Sequence, residues 1–136
     1  MIDVKGLVGI PYCDAERMRD PLVACDCWAL GRMVLAAVRV ELPADPAELL
    51  SMPAAIGETV WVETSPREGK RAQAGDLVVL KGDLGVHLGV MIDEFRLIHQ
   101  TKHGSRVDSL VTCERAGVVK RRVRPHELPD EFGRPA

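Results

Sequence analysis

The chain has 136 residues, 46% hydrophobic and 28% charged, with 12 Gly, 9 Pro and 4 Cys, so it is long enough for one cored domain and too apolar for disorder. Eighteen Lys and Arg against 20 Asp and Glu leave a net charge of −2, which argues against a nucleic-acid binder acting through bulk charge. The longest uninterrupted apolar run, Met33 to Val38, is far short of the roughly 20 residues of a membrane span. The expectation is a soluble single domain over residues 1–136.

Taken in chain order, Met1 to Gly6 lacks the basic stretch and apolar core of a secretory signal. Four cysteines therefore need not be read as disulfides. Gly6 to Tyr12 is a short apolar, Gly-bounded segment, and Asp14 to Asp20 is polar up to Pro21. From Cys27 to Val40 the pattern is helical, with Leu30, Met33, Val34, Ala37 and Val38 as the apolar stripe and Asp26 as N-cap. Leu42-Pro43 is expected to end that helix. A second, short helix is signalled at Asp45 to Leu50, capped by Asp45 with Pro46 at its first position.

Beyond that point the chain reads as β. Glu58 to Thr64 is a strand, and Ser65 to Gly75 a charged loop. Asp76–Leu80, Val86–Ile92, Phe95–Gln100, Arg106–Leu110 and Val118–Arg124 follow, separated by short turns, and are expected to pair as antiparallel hairpins. The Lys120 to Arg124 cluster reads as a solvated edge strand or tail. From about residue 125 the tail, with Pro125, Pro129 and Pro135, is expected to be extended. The fold class is α+β: N-terminal helices on an antiparallel sheet of about five to six strands.

Cys27 opens the long helix, where unpaired amides and the helix dipole favour an anion and so lower a thiol pKa. It reads either as a nucleophile or as a buried core cysteine, and Cys25 as core, as a resolving thiol or as an oxidation liability. A nucleophile needs a base. His87 sits inside an otherwise apolar strand, as a base or as a satisfied core histidine. Period-two counting across the Asp93-Glu94 turn brings His99 to the same face, with Gly89 leaving room beside them. Thiol, imidazole and orienting group are what cysteine acyl transfer requires. His103, in a loop, and His126, behind Pro125, are weaker candidates. The cysteines do not form paired C-x-x-C ligands, so no metal site is expected, and no phosphate-loop, dinucleotide, zincin or nucleophile-elbow motif occurs.

Asp26-Cys27-Trp28-Ala29-Leu30 resembles the D-C-[SW]-G-L box of NlpC/P60 cysteine peptidases, which are papain-like. Gly75-Asp76-Leu77-Val78-Val79 resembles their G-D-L-V-F strand, His87-Leu88-Gly89-Val90 their H-V-G-I motif, and Leu97-Ile98-His99 their F-I-H segment. Leu42-Pro43 matches the L-P after the nucleophile helix, and Tyr12 falls where a site tyrosine precedes the cysteine. The boxes keep their order from about residue 9 to 110. Ala29 stands where a Gly is usual.

The resemblance implies a papain-like catalytic domain with Cys27, His87 and His99 as catalytic residues. Tyr12, Asp26 and Trp28 would bind substrate or serve the oxyanion, and no cofactor is implied. Trp28 and Gly9-Ile10-Pro11-Tyr12 look most like the phage-tail branch. The implied reaction is hydrolysis of amide bonds in peptidoglycan stem peptides, typically next to D-glutamate and diaminopimelate. The implied partners are the stem peptide and phage-tail proteins, with neither nucleic acid nor a membrane span. Lacking a signal, the protein would be made in the cytoplasm and reach a virion tail or the cell envelope by other machinery. Alternatives are a non-catalytic tail-assembly or binding module on the same fold, and a thiol acyltransferase or amidase with a non-wall substrate.

Overall fold

The computed structural model describes residues 1–40, 42, 55–56, 59–64, 71–82 and 85–125. The short helix expected at Asp45–Leu50, His126 and the tail beyond Pro125 lie outside these residues. The described elements are α1 (Cys27–Leu35) with a 3-10 turn (Ala36–Val38), strands β1 (Ala55–Ile56), β2 (Thr59–Glu63), β3 (Leu77–Gly82), β4 (Gly85–Met91), β5 (Arg96–Thr101) and β6 (Gly104–Ser109), helix α2 (Leu110–Arg115) and β7 (Val119–Pro125). The strands form one sheet in the order β1-β2-β7-β3-β4-β5-β6. Every pairing is antiparallel. The two-residue β1 at one edge takes the sheet one strand beyond the five to six expected.

Three consecutive hairpins, β3-β4, β4-β5 and β5-β6, follow the turn residues as the sequence implies. The fourth does not. Residues expected to run on as strand to Leu110 instead start α2, whose N-cap Ser109 accepts from the Thr112 amide. That helix carries the chain back, and β7 inserts between β2 and β3. The Arg-rich segment is therefore an interior strand and not a solvated edge. Its charge is tolerated because a partner is buried with it. Arg124 is 0% exposed, Arg122 5% and Asp76 0%. Arg124 Nε lies 2.6 Å from Asp76 Oδ1 and its Nη2 3.1 Å from Oδ2.

The sheet separates two apolar layers. On one side Trp28, Leu30, Val34 and Leu35 of α1 pack on Leu77, Leu88, Val90, Ile98 and Val123. On the other, Leu110 and Cys113 of α2 pack on Val78, Leu80, Met91 and Leu97. Each fully buried Leu, Val or Ile here contributes about 1.5–3 kcal/mol of transfer free energy.

Helix α1 is shorter than its apolar pattern and rotated from the expected stripe. Its buried residues are Trp28, Leu30, Gly31, Val34 and Leu35, whereas Ala37 is exposed. Gly31 sets this rotation. A Cβ there would stand 2.7 Å from Leu88 Cδ2, so glycine lets the helix lie closely on β4. The regular turns stop at Leu35, and Arg39, at φ 58°, closes the 3-10 turn before Leu42 is reached.

Gln100 and Ser105 tie the N-terminal segment to β5 and β6. Gln100 Nε2 donates to the carbonyls of Ile10 (3.0 Å) and Cys25 (3.1 Å). Ser105 Oγ accepts from the Ile10 amide (2.8 Å) and donates to the Leu7 carbonyl (2.6 Å). These anchors fix the start of α1 relative to the sheet.

Candidate active site

Cys27 is the first residue of α1 and half-buried. Asp26 caps the helix, its Oδ1 accepting from the Ala29 amide at 2.8 Å. The thiol pKa is raised, not lowered as its helix-terminal position alone implies. Burial is the largest cause, and the nearby Asp26 carboxylate adds to it, while the amides of Leu88, Cys27 and Trp28 pull the other way. The Leu88 amide belongs to β4, and its residue follows His87 directly. Pairing of β4 with β5 runs from Met91↔Leu97 to Gly89↔His99 and stops there. Beyond it the two strands part. In that notch Leu88 has no β5 partner, and its amide is near enough to the Cys27 thiol to lower its pKa.

The two strand histidines meet as expected. His87 Nε2 is 3.2 Å from His99 Nδ1, and the rings stack with centroids 5.5 Å apart and planes inclined by 11°. Gly89 makes the space for them: a Cβ there would be 2.6 Å from Leu97 Cδ1 and 3.4 Å from His99 Cβ. Burial pushes the His87 pKa below the ordinary imidazole value, the Gly85 carbonyl opposes this, and the second imidazole adds to the depression. With the thiol raised and the imidazole lowered, both groups rest uncharged at neutral pH.

Strand alternation places His87 and His99 on the α2 side of the sheet, whereas Leu88 meets α1. Among the described residues no hydrogen bond joins Cys27 to His87. The His87 ring nitrogens face His99 and, at 3.4 Å, the Gly85 carbonyl. The histidines line a cavity of about 380 Å³ together with Asp108, Arg106, Lys81 and Lys102.

The other anticipated residues divide. Tyr12 is 40% exposed and bridges to Cys25, two residues before the nucleophile candidate. Its hydroxyl pKa is raised, by burial and then by Asp14, Asp26 and Cys27, so it remains a donor. Asp26, expected to serve substrate or oxyanion, accepts from the Ala29 amide as the helix cap, and Trp28, expected in the same role, packs in the core at 5% exposure. Cys25 is fully buried and takes a 3.6 Å contact from Gln100 Nε2, as a core thiol does. All four cysteines are free.

Asp108 is the residue that motif reading missed. Its Oδ2 lies 2.6 Å from His99 Nε2, and its Oδ1 accepts from Arg106 Nη2 at 2.9 Å. The signal was in the hairpin. A tight turn at Lys102-His103 sets Arg106 opposite His99, and Asp108 diagonal to it on the same face.

A family model for the NlpC/P60 family matches residues 13–122. The chain belongs to the NlpC/P60 family. In general that family is one of cell-wall cysteine peptidases or amidases. The fold is shared with a crystal structure of a Staphylococcus aureus protein described as similar to a lipoprotein of the NLP/P60 family, at a TM-score of 0.57 and 20% identity. The match covers 89% of this chain and 38% of that one, so the chain spans well under half of its structural relative. No curated protein matches the sequence. No described helix of this NlpC/P60 chain is long and apolar enough to cross a membrane.

Proposed function

We propose that this NlpC/P60 chain is a cysteine peptidase that hydrolyses amide bonds of peptidoglycan stem peptides, with Cys27 as nucleophile, His87 as base and His99 as its orienting partner. The observation that carries the reading is the notch where β4 leaves β5. The Leu88 amide that bears on the Cys27 thiol lies there, and the His87–His99 pair stands on the adjoining residues of the same two strands.

Because thiol and imidazole rest neutral, the proton moves during attack. Sulfur bonds to the amide carbonyl carbon while the thiol proton passes to His87, whose ring must turn toward the notch to receive it. The tetrahedral oxyanion takes hydrogen bonds from backbone amide at the start of α1 and from the Tyr12 hydroxyl. Collapse breaks the C–N bond, His87 returns the proton to the leaving amine, and water then hydrolyses the thioester to a free carboxylate. In its finer form the proposal places the cut beside D-glutamate and diaminopimelate, in a phage-tail setting, on the likeness of Trp28 and Gly9 to Tyr12 to that branch.

Purified muropeptides incubated with wild type and with Cys27→Ala test this directly. Wild type should release one new amine and one new carboxylate per cut, and Cys27→Ala none, a loss of about a thousandfold or more. Intact muropeptides after incubation with wild type would overturn the reading. A binding module is the second reading, favoured by the missing Cys27–His87 hydrogen bond. It predicts muropeptide binding without products.

A further inference from the structure

We infer that Asp108 is a positioning residue: acting through His99, it sets the tautomers of both histidines so that Nδ1 of His87 is the nitrogen left to take a proton. A carboxylate only accepts, so the 2.6 Å contact with Asp108 Oδ2 requires His99 Nε2 to carry hydrogen. A neutral His99 then presents a bare Nδ1. That nitrogen is 3.2 Å from His87 Nε2, which must donate to it. His87 is left with its lone pair on Nδ1, the atom that faces the Gly85 carbonyl at 3.4 Å. Before proton transfer two acceptors face each other there. Once the ring has swung back from the notch, the new Nδ1–H has the Gly85 carbonyl to donate to, so the resting geometry stabilises the imidazolium.

Arg106 completes the chain of contacts. Its Nε (3.1 Å) and Nη2 (2.9 Å) both reach Asp108 Oδ1, which fixes the carboxylate rotamer and leaves Oδ2 for His99. The charged and titratable groups that share the cavity with this relay are Lys81 from β3, Lys102 and His103 from the β5-β6 turn, Arg106 from β6 and Cys113 from α2. Asp108 is the carboxylate among them, so it has no rival for His99 Nε2 within the described cavity wall.

The tautomers can be read without substrate. Proton–nitrogen correlation NMR on the full chain, with isotope-labelled histidine and above the histidine titration range, should show His87 and His99 both as Nε2–H tautomers. Asp108→Ala should turn both into tautomer mixtures. Asp108→Asn keeps an accepting oxygen, so the tautomers should persist while the charge is lost. Unchanged histidine spectra in a folded Asp108→Ala overturn the inference. Its kinetic consequence rests on the peptidase reading: kcat on muropeptides falls about tenfold in Asp108→Ala with KM little changed. In Asp108→Asn the acid limb of the pH profile moves to lower pH. Should Asp108→Ala fail to fold, an unmoved titration of the histidine pair in Asp108→Asn overturns the inference instead. Wild-type tautomers as described, in a protein that cleaves no muropeptide, would support the relay and sink the peptidase reading alone.

Discussion

Two polar chains run through this molecule, each built on a carboxylate, and they differ in how completely they are enclosed. Asp76 is fully buried. It meets Arg124 through two contacts, Arg122 Nε at 3.6 Å, Thr64 Oγ1 at 3.3 Å and the Gln73 amide at 3.1 Å. Asp108 keeps 22% of its side chain exposed, and its relay through His99 to His87 borders a cavity. The first chain surrounds its charge on every side and ties β7 to β3 and to the segment after β2. In the second, His87 Nδ1 faces only a backbone carbonyl, that of Gly85 at 3.4 Å. A closed network holds strands in register, and an open one can pass a proton.

The difference has a measurable scale. Asp76→Ala strands two guanidiniums in the interior, and removing one partner of a buried pair costs about 3–5 kcal/mol. Asp108→Ala removes a partly exposed acceptor and should cost about 1 kcal/mol. Urea denaturation of both variants beside wild type measures each loss. Equal losses would mean that the relay is structural too. Thr64→Val is the finer probe of closure. Its hydroxyl donates to Asp76 and accepts from Arg122 Nε at 3.1 Å, and the Arg122 guanidinium also donates to the Thr64 carbonyl. An isosteric methyl leaves buried partners unsatisfied, for an expected loss of about 1–3 kcal/mol in the same experiment. A neutral outcome would show that water or a rearranged arginine can fill the gap.

The contrast also explains what a linear reading can and cannot find. Turn residues two or three positions long fix hairpin register, so β3 to β6 and the His87–His99 approach follow from counting. The Asp108 contact lies within the same count, one diagonal further on. The burial of Arg122 and Arg124 does not. Nothing near them in the chain announces a partner, because Asp76 lies 48 residues from Arg124 and reaches it only once β7 has crossed the sheet. Local charge signals solvent, and non-local pairing overrides it. Helix α2 escaped for a related reason: Leu110 and Val111 suit a strand, and the Ser109 cap together with packing against β6 decides for a helix. The raised Cys27 thiol follows the same logic, since the helix terminus is local and the burial that outweighs it comes from the packed fold.

The smallest effect distinguishes the two chains by pH. Burial lowers the His87 pKa in the folded protein below its ordinary value of 6.5. The unfolded chain therefore binds a proton that the folded chain resists, once pH falls below that value. Stability is unaffected by this group above it, and declines as pH drops from there through the folded pKa. The closed network around Asp76 contains no imidazole, so it offers no matching group of its own on the cationic side. Thermal melts of wild type and His87→Gln across the window test this. Wild type should lose Tm toward the acid end, and His87→Gln should lose less, because the glutamine has no proton to take up. Parallel curves would show that His87 is solvated enough in the folded state to titrate normally, and the relay would then be more open than its neighbours imply.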